Sequence, residues 1–203
     1  MTIFRKTLTM LVAAMAIVAS AVPAVAARYY VDNALGTVAQ RAVLSQPGPV
    51  QVLVEFQTNG VRNEKATKEA RKLVMAELPK LPYLSQISDK PVASGALLTV
   101  KINNIFSPEE RKRVMKAAFK TGLTFGAADT IVRDNYTLSF SYVPATAAPA
   151  ISSTVNHVLV TTLGKGSDQS YGVEYKKPIQ AVSELIGQSL DHGLDAIARK
   201  VAT

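Results

Sequence analysis

From Pro178 to Ala202 the apolar residues recur at helical spacing, and Val182, Ile186, Leu190, Leu194, Ile197 and Val201 fall on one stripe. A stripe this long and continuous cannot stay wet, and it predicts a helix laid on a sheet. The opposite side carries Glu184, Gln188, Asp191, Asp195 and Arg199, with Asp195 and Arg199 placed as a favourable i,i+4 pair. Gly187 weakens this helix by about 1 kcal/mol relative to alanine. Gly193 lies on the apolar side, where it allows close approach of the backbone.

The sheet that this helix needs is written upstream. Val50 to Phe56 reads as a strand, being rich in β-branched residues and bounded by Pro47-Gly48-Pro49 and Thr58-Asn59-Gly60. From Ala96 to Ile105, Leu98, Val100 and Ile102 alternate with Thr99, Lys101 and Asn103, so one face is buried and one is wet. Tyr136 to Val143 alternates in the same way, with Tyr136, Leu138, Phe140 and Tyr142 on one side, and Arg133-Asp134-Asn135 before it reads as a turn. Leu123 to Val132 is a strand or an irregular segment, Pro144 to Thr154 an exposed loop, Val155 to Leu163 a further strand, and Lys165 to Lys177 a surface loop or hairpin end.

Two more helices are expected. Between Asn63 and Leu78, Ala66, Ala70, Leu73, Val74 and Leu78 share a broad apolar face and Lys65, Lys68 and Lys72 lie opposite, until Pro79 and Pro82 end the pattern. Ser107-Pro108-Glu109-Glu110 places a capping hydroxyl, a proline at N1 and a carboxylate at N3, so a helix starts there and runs to about Lys120. Its apolar side holds Val114, Met115, Ala118 and Phe119, and its other side Lys112, Arg113, Lys116 and Lys120. The expected fold is α+β: a mixed, mostly antiparallel sheet of four to six strands with two or three helices packed on one face. In element order it is similar to many small accessory proteins of the bacterial cell envelope.

The N-terminus points to export. Arg5 and Lys6 precede an apolar run from Thr7 to Ser20, and Ala24-Val25-Ala26 supplies the small-x-small pattern of a signal-peptidase site. That run of 14 residues is shorter than the roughly 20 that span a bilayer, so cleavage is expected rather than anchoring. The expected organisation is a cleavable signal peptide at 1–26, a weakly patterned lead-in at 27–49 in which Asp32 is a candidate helix cap, and one domain at 50–203. No later run reaches membrane length, and a chain without cysteine has neither disulfide nor lipid attachment through one. Stability must then come from the apolar core.

Charge is placed unevenly. Between Val61 and Lys120 there are 13 Lys and Arg against 6 Asp and Glu, a net of +7, whereas the rest of the expected mature chain nets −1. Such asymmetry points to an anionic partner, and Lys112, Lys116 and Lys120, with Arg113 beside them, form a ladder one helical turn apart that suits phosphates of lipid headgroups or lipopolysaccharide, or an acidic protein. A solvated lysine-rich surface is the plainer reading of the same residues. Nucleic acid is not an expected partner of an exported chain.

Chemistry of other kinds finds little purchase. The two histidines are His157 and His192. His192 falls near Gln188 and Arg199 on the polar side of the last helix and reads as exposed, and Asp191 and His192 point about 100° apart, which disfavours a shared metal. His157 follows Ser152, Ser153 and Thr154, the weak basis for a hydrolase, yet no G-x-S-x-G elbow or S-x-x-K pair accompanies it. Gly164-Lys165-Gly166-Ser167 lacks the spacing of a phosphate loop and reads as a turn, and Asp129 and Asp134 are at most a distant carboxylate pair. No cofactor or metal is expected. The expectation is therefore a periplasmic or secreted, non-catalytic binding or accessory protein of the cell envelope. The alternatives are a small secreted hydrolase using His157, and a subunit of an envelope assembly whose sheet edge a partner strand completes.

Overall fold

The computed structural model describes residues 27–44, 48–93, 95–107, 109, 112, 130–146, 148–163 and 168–202. Among these residues, eight strands form one mixed sheet: β1 (Arg28–Val31), β2 (Val50–Thr58), β3 (Val61–Arg62), β4 (Ile87–Ser88), β5 (Leu97–Ile105), β6 (Thr130–Val143), β7 (Ile151–Leu163) and β8 (Val173–Tyr175). Their order across the sheet is β3-β2-β5-β6-β7-β1-β8, and β4 shares the outer side of β2 with β3. Among the described residues the continuous helices are α1 (Glu64–Glu77) and α2 (Pro178–Val201), with short 3-10 turns at Leu78–Lys80 and Gln169–Tyr171. Among the described residues, no helix is long and apolar enough to cross a membrane.

The α+β class, the mixed sheet and the helix-covered face are as the periodicity predicts, but the sheet has eight strands where four to six were expected. Parallel pairing is confined to β2 with β5 and β2 with β4, since a parallel neighbour requires a crossover and α1 supplies it. The cap of α1 is Asn63, whose side chain accepts from the Ala66 N–H at 3.1 Å. Helix and sheet edge are also pinned directly, because Asn63 N donates to Phe56 O at 2.8 Å and Phe56 N donates to the buried Thr67 Oγ1 at 2.9 Å.

Both helices cover the face formed by Val50, Val52 and Val54, by Leu98, Val100 and Ile102, and by Tyr136, Leu138, Phe140 and Tyr142, all of them buried. Helix α2 lies over β7, β1 and β6, and α1 lies over β2 and against α2. Leu185, Leu190, Leu194 and Ile197 of α2 are 1% exposed or less, each contributing about 2 kcal/mol by removal from water. The opposite face of the central strands is polar, lined by Thr99, Lys101, Thr137, Ser139, Thr154 and Asn156.

Several local expectations are corrected. Arg133-Asp134-Asn135 is not a turn but part of β6, because Arg133 pairs with Val160, Asp134 with Leu159 and Asn135 with both Val158 and Ile105. Hydrogen bonds from flanking strands outweigh the local turn preference. Within the expected Pro144 to Thr154 loop, β7 already begins at Ile151. The lead-in contributes β1, which inserts between β7 and β8, and the segment Lys165 to Lys177, read as a loop or hairpin end, contains the short strand β8. Asp32 caps no helix; its carboxylate accepts from Ala34 N in a local turn.

Candidate functional site

The expected basic site splits into a part that can be placed and a part that cannot. Lys112 is helical and exposed, as is Glu109, whereas Arg113, Lys116 and Lys120 lie outside the described residues. So do Asp129 and the Gly164-Lys165-Gly166-Ser167 segment. Within the same basic third of the chain, α1 is fully described. Its outward arc carries Lys65, Lys68, Arg71 and Lys72, all exposed, while Thr67, Ala70 and Val74 are buried against the sheet. Lys72 pairs with Glu69 at 2.9 Å, and among the described residues Lys65, Lys68 and Arg71 have no acidic partner.

His157 sits on the helix-covered face opposite Tyr136 and is 3% exposed. Its Nδ1 accepts from the Val158 N–H at 3.0 Å, so Nε2 carries the proton and donates to Gln188 Oε1 at 2.9 Å. Gln188 in turn donates to Glu184 at 3.0 Å. Burial lowers the pKa of His157 below its ordinary value, the Gln188 bond and the Asp32 and Glu184 charges opposing that shift. Strand alternation puts Ser152 and Thr154 on the other face of the sheet, and Ser153 Oγ donates to Gly193 O at 2.8 Å. No hydroxyl is presented to the ring, so the arrangement a nucleophile and base require is not formed among the described residues.

The polar side of α2, which reads as solvent-facing in sequence, is instead occupied. Residues after β1 run along it. Arg41 makes a two-pronged bond to Asp191 at 2.8 Å for each prong, and Tyr83 Oη donates to the same carboxylate at 2.9 Å. Asp195, 9% exposed, accepts from Ala42 N at 2.9 Å and from Arg199 Nε at 2.7 Å, confirming the i,i+4 pair. Arg199 also reaches Gln40 O, and His192 Nε2 donates to Gly36 O at 3.2 Å. Burial pushes both carboxyls up, but the bonds from Arg41 and Tyr83 to Asp191, and from Arg199 and Ala42 to Asp195, outweigh it and hold both below the usual range. Asp191, His192 and Asp195 thus have protein partners, and the described residues contain no cluster suited to a metal ion.

An open cleft of about 470 Å³ lies between the end of α1, the start of α2 and β8, lined by Glu77, Lys80, Glu174, Lys176, Ser183 and Glu184 among others. Its carboxylates are satisfied from within the protein: Glu77 by Lys80 and Ser183, Glu174 by Arg28 and Tyr30, Glu184 by Gln188.

No protein-family model matches this chain, and no curated protein matches it. Among solved structures it is similar to a PelC dodecamer from Paraburkholderia phytofirmans, at 10% identity and a TM-score of 0.38 over 77% of this chain and 94% of that one. A single-residue variant of that PelC dodecamer gives 12% identity and a TM-score of 0.40 over the same shares of the two chains. An uncharacterised protein gives 10% identity and a TM-score of 0.30 over 80% of this chain and 99% of that one. None of these values supports transfer of a function.

Proposed function

We propose that this chain is an exported, non-catalytic binding or accessory protein of the cell envelope whose basic face meets an anionic component there, a lipid headgroup or lipopolysaccharide. The observation that carries this reading is the outward arc of α1, where Lys65, Lys68, Arg71 and Lys72 are exposed together on a rigid, capped helix whose other side is buried. A row of cations held on one helix face lowers the cost of gathering several phosphates at once. The engaged ring of His157 and the separation of its neighbouring hydroxyls leave the hydrolase alternative without a supporting arrangement.

Binding to vesicles of neutral lipid, with and without anionic lipid, tests the proposal. The parent protein should bind only the anionic vesicles, more weakly as salt shortens the screening length below about 8 Å. Exchange of Lys65, Lys68 and Lys72 for glutamine should weaken binding by roughly a hundredfold, each lysine near an anionic surface contributing about 1 kcal/mol. Unchanged binding by the folded variant would overturn the reading. So would indifference to anionic vesicles by a protein that instead binds an acidic polypeptide.

A further inference from the structure

Outside the basic face, His157 is a buried polar group with both ring nitrogens engaged, and its position at the point where β1 leaves the sheet gives it a use. The β1–β7 ladder ends with Asp32 N donating to Val158 O at 3.3 Å, a long final rung. In an antiparallel ladder the Val158 N–H would be returned to the strand opposite. Here it goes to the Nδ1 of the adjacent His157 ring, so a side chain closes the ladder where the chain turns away. The turn is shaped by Asp32, whose carboxylate accepts from Ala34 N. From there the lead-in runs along α2, fastened through Gly36, Gln40, Arg41 and Ala42 to side chains of that helix. Leu44 ends it, buried in the core.

We propose that His157 is an acid-sensitive latch for this lead-in: a second proton on its ring turns Nδ1 from acceptor to donor, sets it against the Val158 N–H, and releases residues 32–42 from α2. The neutral ring meets an acceptor at Nε2 and a donor at Nδ1, so both nitrogens are satisfied in one tautomer only. Protonation breaks that match within a buried site, where an unmet polar group is costly. The charged ring is favoured by Asp32 beyond β1 and by Glu184 on α2, and opposed by His192 on α2. On β6 it faces Tyr136, whose buried phenol stays un-ionised, and Asp134 lies two residues along the same face. Attraction of the imidazolium to Asp32 competes with the Ala34 bond that forms the turn. Loss of that turn removes the geometry that aims Gly36 to Ala42 at α2. The remaining fastenings are the polar contacts of Gly36 to Ala42 with α2 and the partial packing of Leu35 and Ala42 on the core, in a strap without regular structure that opens locally while Leu44 stays buried.

Amide exchange on the full chain tests the latch, read as protection factors corrected for the intrinsic pH effect. Between about pH 7.5 and about pH 5, protection of the Ala42 amide should fall by roughly tenfold or more while that of Val100 in β5 holds. His157→Asn keeps an acceptor near Nδ1 but cannot take up a proton, and it should abolish this loss. His192→Gln should leave the loss in place. Should His157→Asn not fold, the ring resonances of His157 in the parent protein provide the second measurement, and the loss of Ala42 protection must level off once pH falls below their midpoint. Flat protection in the parent, an unchanged loss in His157→Asn, or a loss that runs on through that midpoint would each overturn the proposal.

Discussion

The two helices are built to the same pattern and meet opposite fates. Each has one apolar stripe and one charged side. On α1 the charged side stays in water, and Lys65, Lys68, Arg71 and Lys72 are exposed. On α2 the charged side is a second contact, half-buried at Asp191 and buried at Asp195, which hold the lead-in through Arg41 and the Ala42 N–H. The difference lies in what each side chain can reach. Lysines extend a flexible cation that is easily hydrated, whereas short aspartates one turn apart offer fixed acceptors to a neighbouring backbone. The charged side is therefore left to water on α1 and partly covered by the lead-in on α2.

Substitutions on the two helices should separate these roles. The largest effect is expected at Gly193, where an added Cβ would stand 2.3 Å from the buried Phe140 ring. Gly193→Ala should cost about 3 kcal/mol, the upper part of the range for overpacking, read as a lowered midpoint in urea at unchanged slope. A loss below about 1 kcal/mol would show that α2 can move off the sheet and that its close contact is not rigid.

A smaller loss is expected on the polar side of α2. Asp195→Ala removes the acceptor of both Ala42 N and Arg199, and should cost about 2 kcal/mol together with protection of the lead-in amides. The pH dependence has a definite sign. Because Asp191 and Asp195 are held below the usual carboxylate range, their contribution is present above the unfolded value near 3.8 and is lost as pH falls through the folded one. His157, also lowered, acts earlier. Its destabilisation begins as pH drops below the unfolded value of 6.5 and is complete once pH passes the folded value. Two separated steps in stability against pH are expected, and His157→Asn should remove only the upper one.

The smallest effect belongs to α1. Exchange of Lys65, Lys68 and Lys72 for glutamine should change stability by no more than about 0.5 kcal/mol per site, since these side chains are exposed. Thermal or urea unfolding of the triple variant measures it. A loss of several kcal/mol would place these lysines in structural contacts and dissolve the contrast between the helices.

The central strands and both described helices were legible because each has a period of its own. Leu98, Val100 and Ile102 alternate, as do Tyr136, Leu138, Phe140 and Tyr142, and each set is buried in the structure. The strands β1, β3, β4 and β8 were not legible. They have four residues or fewer, too short for alternation to register, and they exist because longer neighbours offer hydrogen bonds. Of the candidate site residues, His157 was visible as a lone imidazole among apolar neighbours, but Gln188 and Glu184 lie on an element about thirty residues away and no spacing rule links them to it.

What the chain alone determined is its fold class, the faces of its long elements and the placement of its positive charge, because periodicity and composition act over neighbouring residues. Only the tertiary structure decided that the lead-in joins the sheet as β1 and lies against α2. That segment has no apolar repeat, and its position comes from bonds such as Arg41 to Asp191, between residues 150 apart in sequence. Such contacts form only after the sheet has brought distant parts of the chain together, so no local pattern records them.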